Sequence, residues 1–215
     1  MKAFFTIDDP VVPANHPRSL VDLAIEQGAG RDELLAASGS SYEALLDPDH
    51  RISYAEYLRI AATAIRLTGN PAIGLDFGAR ARLSHWGVVG LAAVNRVTGG
   101  EALQLWLQYY RMFAPGWDLS VTVEGNVGRI VARETISRGE LLPFATEAML
   151  ATMQSLTTQV VGYPQKAIET RFAYPEPPYS ARYRDFFEGP MVFDQEVTEV
   201  LFDPSNLKAP IAGAD

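Results

Sequence analysis

Trp86, Trp106, Tyr109, Tyr110, Phe113 and Trp117 crowd one part of the chain, with His85 at the leading edge and Arg111 and Arg133 close by. The chemistry these residue types offer is recognition. Aromatic rings supply broad apolar walls, while Tyr hydroxyls and the indole N–H need polar partners when buried. An arginine presents a planar fork to a carboxylate. Small-molecule sites have this composition, largely apolar with a few convergent polar groups. Two readings stand for each ring, because aromatics at helical spacing fill cores as well as line pockets. His85 likewise reads as a hydrogen-bonded structural histidine or as a ligand contact. Arg133 shares a strand face with Val131, which aims it inward toward a small anion or leaves it in a surface ion pair.

Bond-breaking chemistry has little support. The 215 residues contain no cysteine, which removes disulfides, thiolate zinc sites and thiol catalysis. The three histidines, His16, His50 and His85, lack second ligands at metal spacing; His16 and His50 stand beside prolines or turn residues and read as solvated. No Gly-x-Ser-x-Gly elbow occurs, nor a Gly-rich phosphate loop between a strand and a helix. Asp8-Asp9 and Asp47/Asp49 read as solvated loop acids. The net charge of −8 repels phosphate backbones. Neither a signal-peptide core nor an apolar run of membrane-spanning length is evident.

The elements that must position these residues follow from periodicity. Three prolines, Pro10, Pro13 and Pro17, suggest an extended arm over residues 1–17. Ser19 then reads as the cap of a first helix that stops at Gly28 and Gly30, and a second helix spans Arg31 to Ala37. Ser53 and Glu56 form a capping box for a helix ending at Thr68-Gly69. Asn70-Pro71 opens the next helix, which runs to about Arg80. Ser84 to Val94 reads as a close-packed helix through Gly87 and Gly90. Thr98 and Glu101 are a second capping box, opening a helix through Trp106 and Tyr110. The period then changes to two. Trp117 to Glu124 and Arg129 to Glu134 alternate around Gly125-Asn126, the pattern of a hairpin. A helix over Leu141 to Val161, a strand over Ile168 to Tyr174, a helix over Tyr179 to Phe187 and short strands near residues 191–193 and 200–202 complete the chain. Helices first and strands later predict an α+β domain, its helical N-terminal half packed on a small, mainly antiparallel sheet.

The C-terminal stretch Tyr183-Arg-Asp-Phe-Phe-Glu-Gly-Pro-Met-Val-Phe-Asp194, followed by Val200-Leu-Phe-Asp-Pro204 and Leu207-Lys-Ala-Pro210, resembles the end of the N-terminal ligand-sensing domain of AraC-type transcription regulators, the arabinose-binding-like group. Earlier segments are similar to the same group: Gly28 to Leu35, Leu45-Leu46-Asp47-Pro48, Arg51-Ile-Ser-Tyr54, Leu67-Thr-Gly-Asn-Pro-Ala-Ile-Gly-Leu75, Trp86-Gly-Val-Val-Gly-Leu-Ala92, and Glu101-Ala-Leu103 with Tyr109-Tyr110. The resemblance covers residues 18–210.

It implies a cytoplasmic sensor of a small-molecule effector that is not an enzyme and uses no cofactor or metal. It also implies DNA contact only through a helix-turn-helix domain absent from this chain, and homodimerisation is compatible with the group. Residues 18–210 are then the sensing domain and 211–215 the start of a linker. The effector-binding candidates are His85, Trp86, Trp106, Tyr109, Tyr110, Phe113, Trp117 and Arg133. The rival reading is a ligand-free dimerisation or interaction module with a filled core.

Overall fold

The computed structural model describes residues 5–36 and 39–212. Its helices are α1 (Asn15–Glu26), α2 (Arg31–Ala36), α3 (Tyr42–Leu46), α4 (Tyr54–Thr68), α5 (Ile73–Ala79), α6 (Gly87–Val94), α7 (Gly99–Tyr109) and α8 (Leu142–Val161). Strands β1 (Val12–Pro13) and β2 (Arg51–Ile52) form a small antiparallel pair. The main sheet contains β3 (Trp117–Glu124), β4 (Val127–Glu134), β5 (Glu169–Arg171), β6 (Met191–Val192) and β7 (Thr198–Phe202), in the order β3-β4-β7-β5-β6. Every pairing in it is antiparallel except that of β5 with β6. The α+β architecture expected from the order of elements is therefore the one found.

Local chemistry explains the best-formed elements. At α4, Ser53 Oγ accepts from the Glu56 amide at 3.1 Å and Glu56 Oε2 accepts from the Ser53 amide at 2.8 Å. This closes the capping box at one end, and Gly69 closes the other in a left-handed conformation with φ 64°. Thr98 caps α7 by accepting from the Glu101 amide at 3.2 Å. Here the reciprocal bond is displaced by one residue, since Glu101 Oε2 takes the Val97 amide at 3.0 Å.

The long helix α8 is the spine of the domain. It packs on α5 through near backbone contact. A Cβ at Gly74 would lie 2.5 Å from the Phe144 carbonyl oxygen, and one at Gly78 would lie 2.5 Å from that of Ala148. The main core spreads from this seam through Leu20, Leu23, Ile60 and Ala64 of α1 and α4. A second, small core of Ala93, Ala102, Val160, Val161, Ala209 and Ile211 joins α6, α7 and α8 to residues 209–211.

Several sequence expectations change. The extended arm ends before Val12, because β1 pairs with β2 and Val12 and Ala14 are buried; the first four residues lie outside the described ones. Helix α1 begins at Asn15, so Ser19 is internal and its hydroxyl bonds back to the Asn15 carbonyl at 2.8 Å. Asn70 does not cap a helix opened at Pro71. Instead its Oδ1 accepts from the Ala72 amide at 3.1 Å in a turn that leads into α5 at Ile73. The helix expected over Tyr179 to Phe187 is a short 3-10 segment, Ser180–Asp185. Residues 37 and 38, where the second predicted helix was to end, lie outside the described ones, as do 213–215.

Candidate functional site

Two adjoining cavities share a wall made by Trp86 and Trp106, whose ring centroids lie 6.0 Å apart. The larger, about 180 Å³, opens between α6, α7 and α8 on one side and the inner face of β4, β5 and β7 on the other. Its apolar surface comes from helix residues such as Val89, Met153 and Val160 and from strand residues Ile130, Val200 and Phe202. Alternation along β4 explains the sheet side. Gly128 and Ala132 are small and buried, Ile130 lies between them on the same face, and a Cβ at Gly128 would lie 2.3 Å from the Phe202 ring. The polar residues of this cavity include Gln154, Thr157, Gln165 and Asn206, and the exposed Lys166 and Glu188 stand at its edge.

Gln154 Nε2 donates to the Gln165 carbonyl at 3.1 Å, tying α8 to the loop that leads into β5. Two buried donors on the wall have no protein partner, Trp106 Nε1 and Gln165 Nε2. A buried polar group without a partner costs about 1–3 kcal/mol, so these two atoms mark where a ligand or water has something to gain.

The smaller cavity, about 60 Å³, is lined by His16, Tyr57, Phe77, Phe113 and Trp117 together with the shared indoles. His16 meets Tyr57, Phe77 and Trp86 edge-on at 6.4, 5.8 and 6.4 Å. Burial, and then the nearby charge of His85, lower its pKa to about 4, so the ring is neutral at ordinary pH. The expectation of a solvated His16 is corrected: the first turn of α1 carries it into the aromatic cluster.

The structure brings Trp86, Trp106, Phe113 and Trp117 together, with Trp86 and Phe113 at 4.5 Å. Tyr110 is behind them in a structural role. Its hydroxyl donates to the Trp117 carbonyl at 3.1 Å and accepts from the Leu119 amide at 2.7 Å, clipping the 3-10 turn that follows α7 to β3. Tyr109 lines neither cavity. His85 is exposed, and its carbonyl accepts from Asn15 Nδ2 at 3.3 Å. Arg133 is exposed on the outer face of the hairpin, opposite Asp118, because Ala132 and Ile130 take the inner phase. Arg111 is engaged by Asp118 at 2.6 Å.

Sequence reasoning missed three charged residues that the fold buries, Arg138, Glu147 and Glu199. Arg138 donates to Tyr54 Oη, the Gly116 carbonyl and Glu134 at 3.1, 2.6 and 3.0 Å. Glu147, wholly buried in α8, accepts the hydroxyls of Tyr179 and Tyr183 at 2.8 and 2.7 Å on one oxygen. Tyr183 Oη lies 3.1 Å from Tyr174 Oη, extending the chain of hydroxyls. Burial raises the Glu147 pKa to about 7, against the pull of the two tyrosines. The polar wall residues Gln154 and Thr157 were also missed. Their signal in the sequence was weak, because α8 also carries Thr152, Ser155, Thr158 and Gln159.

Among the described residues no group of acidic, cysteine or histidine side chains could hold a metal. No helix there is long and apolar enough to cross a membrane.

Residues 28–211 match the model of the N-terminal arabinose-binding domain of AraC transcription regulators. The chain belongs to this family. The AraC-type domain is 30% identical over 215 residues to the ornithine utilization regulator of Pseudomonas aeruginosa. It is 23% identical over 199 residues to the HTH-type transcriptional regulator Rv1395 of Mycobacterium tuberculosis. It spans 63% and 54% of those two proteins. The fold is that of the crystal structure of the transcriptional regulator CdpR from Pseudomonas aeruginosa, with a TM-score of 0.67 at 20% identity over 94% of this chain and 58% of that one.

Proposed function

We propose that this AraC-type domain senses a small molecule in the 180 Å³ cavity and passes its occupancy to the chain that follows, which in a complete regulator carries a helix-turn-helix DNA-binding domain in the cytoplasm. One observation carries the reading. The cavity wall includes Asn206 and Leu207, which belong to the segment by which the chain leaves the domain. That segment is held by backbone bonds from Gly99 to Ala209 at 2.8 Å, from Ile211 to Val97 at 3.4 Å and from Ala212 to Val160 at 2.8 Å. A molecule that meets Leu207 on one side therefore biases how residues 209–212 are seated on α7 and α8. Such a relay requires that the molecule bind one seating better than the other.

The relative's association with ornithine does not transfer readily. Ornithine carries two ammonium groups, and Glu188 is the only carboxylate on the cavity wall among the described residues.

The test is thermal denaturation of this chain with a panel of organic acids, alcohols, amines and amino acids, ornithine included. An effector at one hundred times its Kd adds about 2.7 kcal/mol of stability, and Thr157→Phe, which fills the cavity, removes that gain. A panel without effect, or gains that survive Thr157→Phe, rejects the cavity as the sensor.

A second reading has its own support. Val88, Leu91 and Val97 are 78%, 64% and 70% exposed on and after α6, an apolar strip of the kind that marks a protein contact. A ligand-free dimerisation module predicts concentration-dependent association that Leu91→Lys abolishes.

A further inference from the structure

The chemistry of the wall says which class of molecule belongs in the cavity. We infer that the effector is a monocarboxylate with a compact apolar body, its carboxylate held by Gln165 and Lys166 and its body lodged against Trp86, Met153 and Phe202. The inference rests on the sensing role proposed above and narrows it.

Three observations converge. The first is size: an apolar cavity of about 150 Å³ accepts benzene, so about 180 Å³ takes a ring with a short branch. The second is the sign of the unmet hydrogen-bonding demand. The two lining residues with partnerless buried atoms both leave donors unmet, Nε1 of Trp106, which stands between the two cavities, and Nε2 of Gln165. An indole N–H has no acceptor mode, so the demand at Trp106 is for an acceptor. The remaining partnerless buried atoms among the described residues, on Asn15, Thr146 and Glu147, are not on this wall. The third is charge. Lys166 follows Gln165 at the cavity edge, and no ion pair holds it among the described residues. A carboxylate meets the unmet donor of Gln165 and the charge of Lys166 together, since it accepts several hydrogen bonds and those to charged groups are the strong ones. Glu188, also at the edge, disfavours a second negative charge and limits the effector to one.

Phenylacetate, 4-methylpentanoate, phenylacetamide and phenethylamine probe this directly, with the indole fluorescence of Trp86 and Trp106 and calorimetry as readouts. The two carboxylates are expected to bind more tightly than the amide by about tenfold, the worth of one charge-assisted bond, and the amine is expected not to bind. Gln165→Leu should weaken the carboxylates and, to a smaller degree, the amide, whose carbonyl accepts from the same Nε2, whereas Lys166→Met should weaken the carboxylates by about tenfold while leaving amide binding unchanged. That difference separates a lost contact from a damaged fold. Tighter binding of the amine or amide, or carboxylate binding indifferent to both substitutions, overturns the monocarboxylate class and leaves the sensing role standing. If none of the four binds, the class is also rejected, and the broad panel with Thr157→Phe then judges the sensing role separately.

Discussion

The guanidinium of Arg138 lies over the indole of Trp117, 3.9 Å from the ring centroid, and is fully removed from solvent. Its bonds reach Tyr54 at the start of α4, the Gly116 carbonyl before β3 and Glu134 at the end of β4. One side chain thus ties the helical half to the hairpin beneath the smaller cavity. Hydrogen bonds to a charged group are worth about 1.5–3 kcal/mol, and Glu134 is itself partly exposed, so Arg138→Ala is expected to lose about 3 kcal/mol in urea denaturation. Arg138→Lys should recover little of it, because an ammonium cannot reproduce a planar fork that stacks on a ring. Full recovery by lysine would show that charge alone matters there.

Glu147 makes stability depend on pH in an unusual direction. Its pKa rises from 4.5 to about 7 on folding, so the protonated form suits the fold. Its contribution is full below about pH 4.5 and is lost as pH rises through about 7. Glu147→Gln keeps an acceptor for Tyr179 and Tyr183 without the charge. It should stabilise the protein by on the order of 2 kcal/mol at pH 8 and change little at pH 4.5, measured by denaturant midpoints at both values. A loss at pH 8 would contradict this account of the carboxyl.

His16 works the other way. Its pKa falls from 6.5 to about 4 on folding, so the neutral ring suits the fold. Stability declines as pH drops below about 6.5 and levels off near 4. Over the interval from 4.5 to 6.5 the two groups oppose each other, and the wild-type profile should be shallow. His16→Leu should make the protein gain stability on acidification across that interval, and Glu147→Gln should make it lose stability. Identical profiles in the two variants would exclude both assignments.

Gly100 tests the seat of the exit segment apart from the cavity. A Cβ there would stand 2.7 Å from the Leu207 carbonyl oxygen, and Gly100 is not among the lining residues. Gly100→Val should lift residues 207–210 from α7 and raise amide hydrogen exchange at Gly99, Ile211 and Ala212 by tenfold or more, about 1.4 kcal/mol of local opening. The α5–α8 seam should remain protected. Unchanged exchange at those amides would mean that the seat does not depend on this close approach.

Much of the fold was legible because its signals are local. The capping box at Ser53, the Gly69 stop, and the hairpin about Gly125-Asn126 depend on neighbours within four residues. What escaped depends on distant ones. Pro17 reads as a breaker, yet it occupies the first turn of α1, where its missing N–H would have had no helical partner. The inner phase of β4 is set by Gly128 and Ala132, whose small size makes room for Phe202 and the helices. Counting hydrophobic residues therefore selects the wrong face and turns Arg133 inward. The aromatic cluster was found, but not the larger cavity beside it, which shares only Trp86 and Trp106 with the cluster and takes its other walls from α6, α8, the sheet and the segment around Asn206. A sequence marks rings readily; it does not mark an absence of atoms between elements.

The three bonds that fix residues 209–212 run from main chain to main chain. They use no side-chain atom, so, where the close approach at Gly100 is kept, substitutions can accumulate along this stretch and around the cavity without rewriting the join between them. A lineage built this way is free to exchange one chemical signal for another while keeping the same mechanical output.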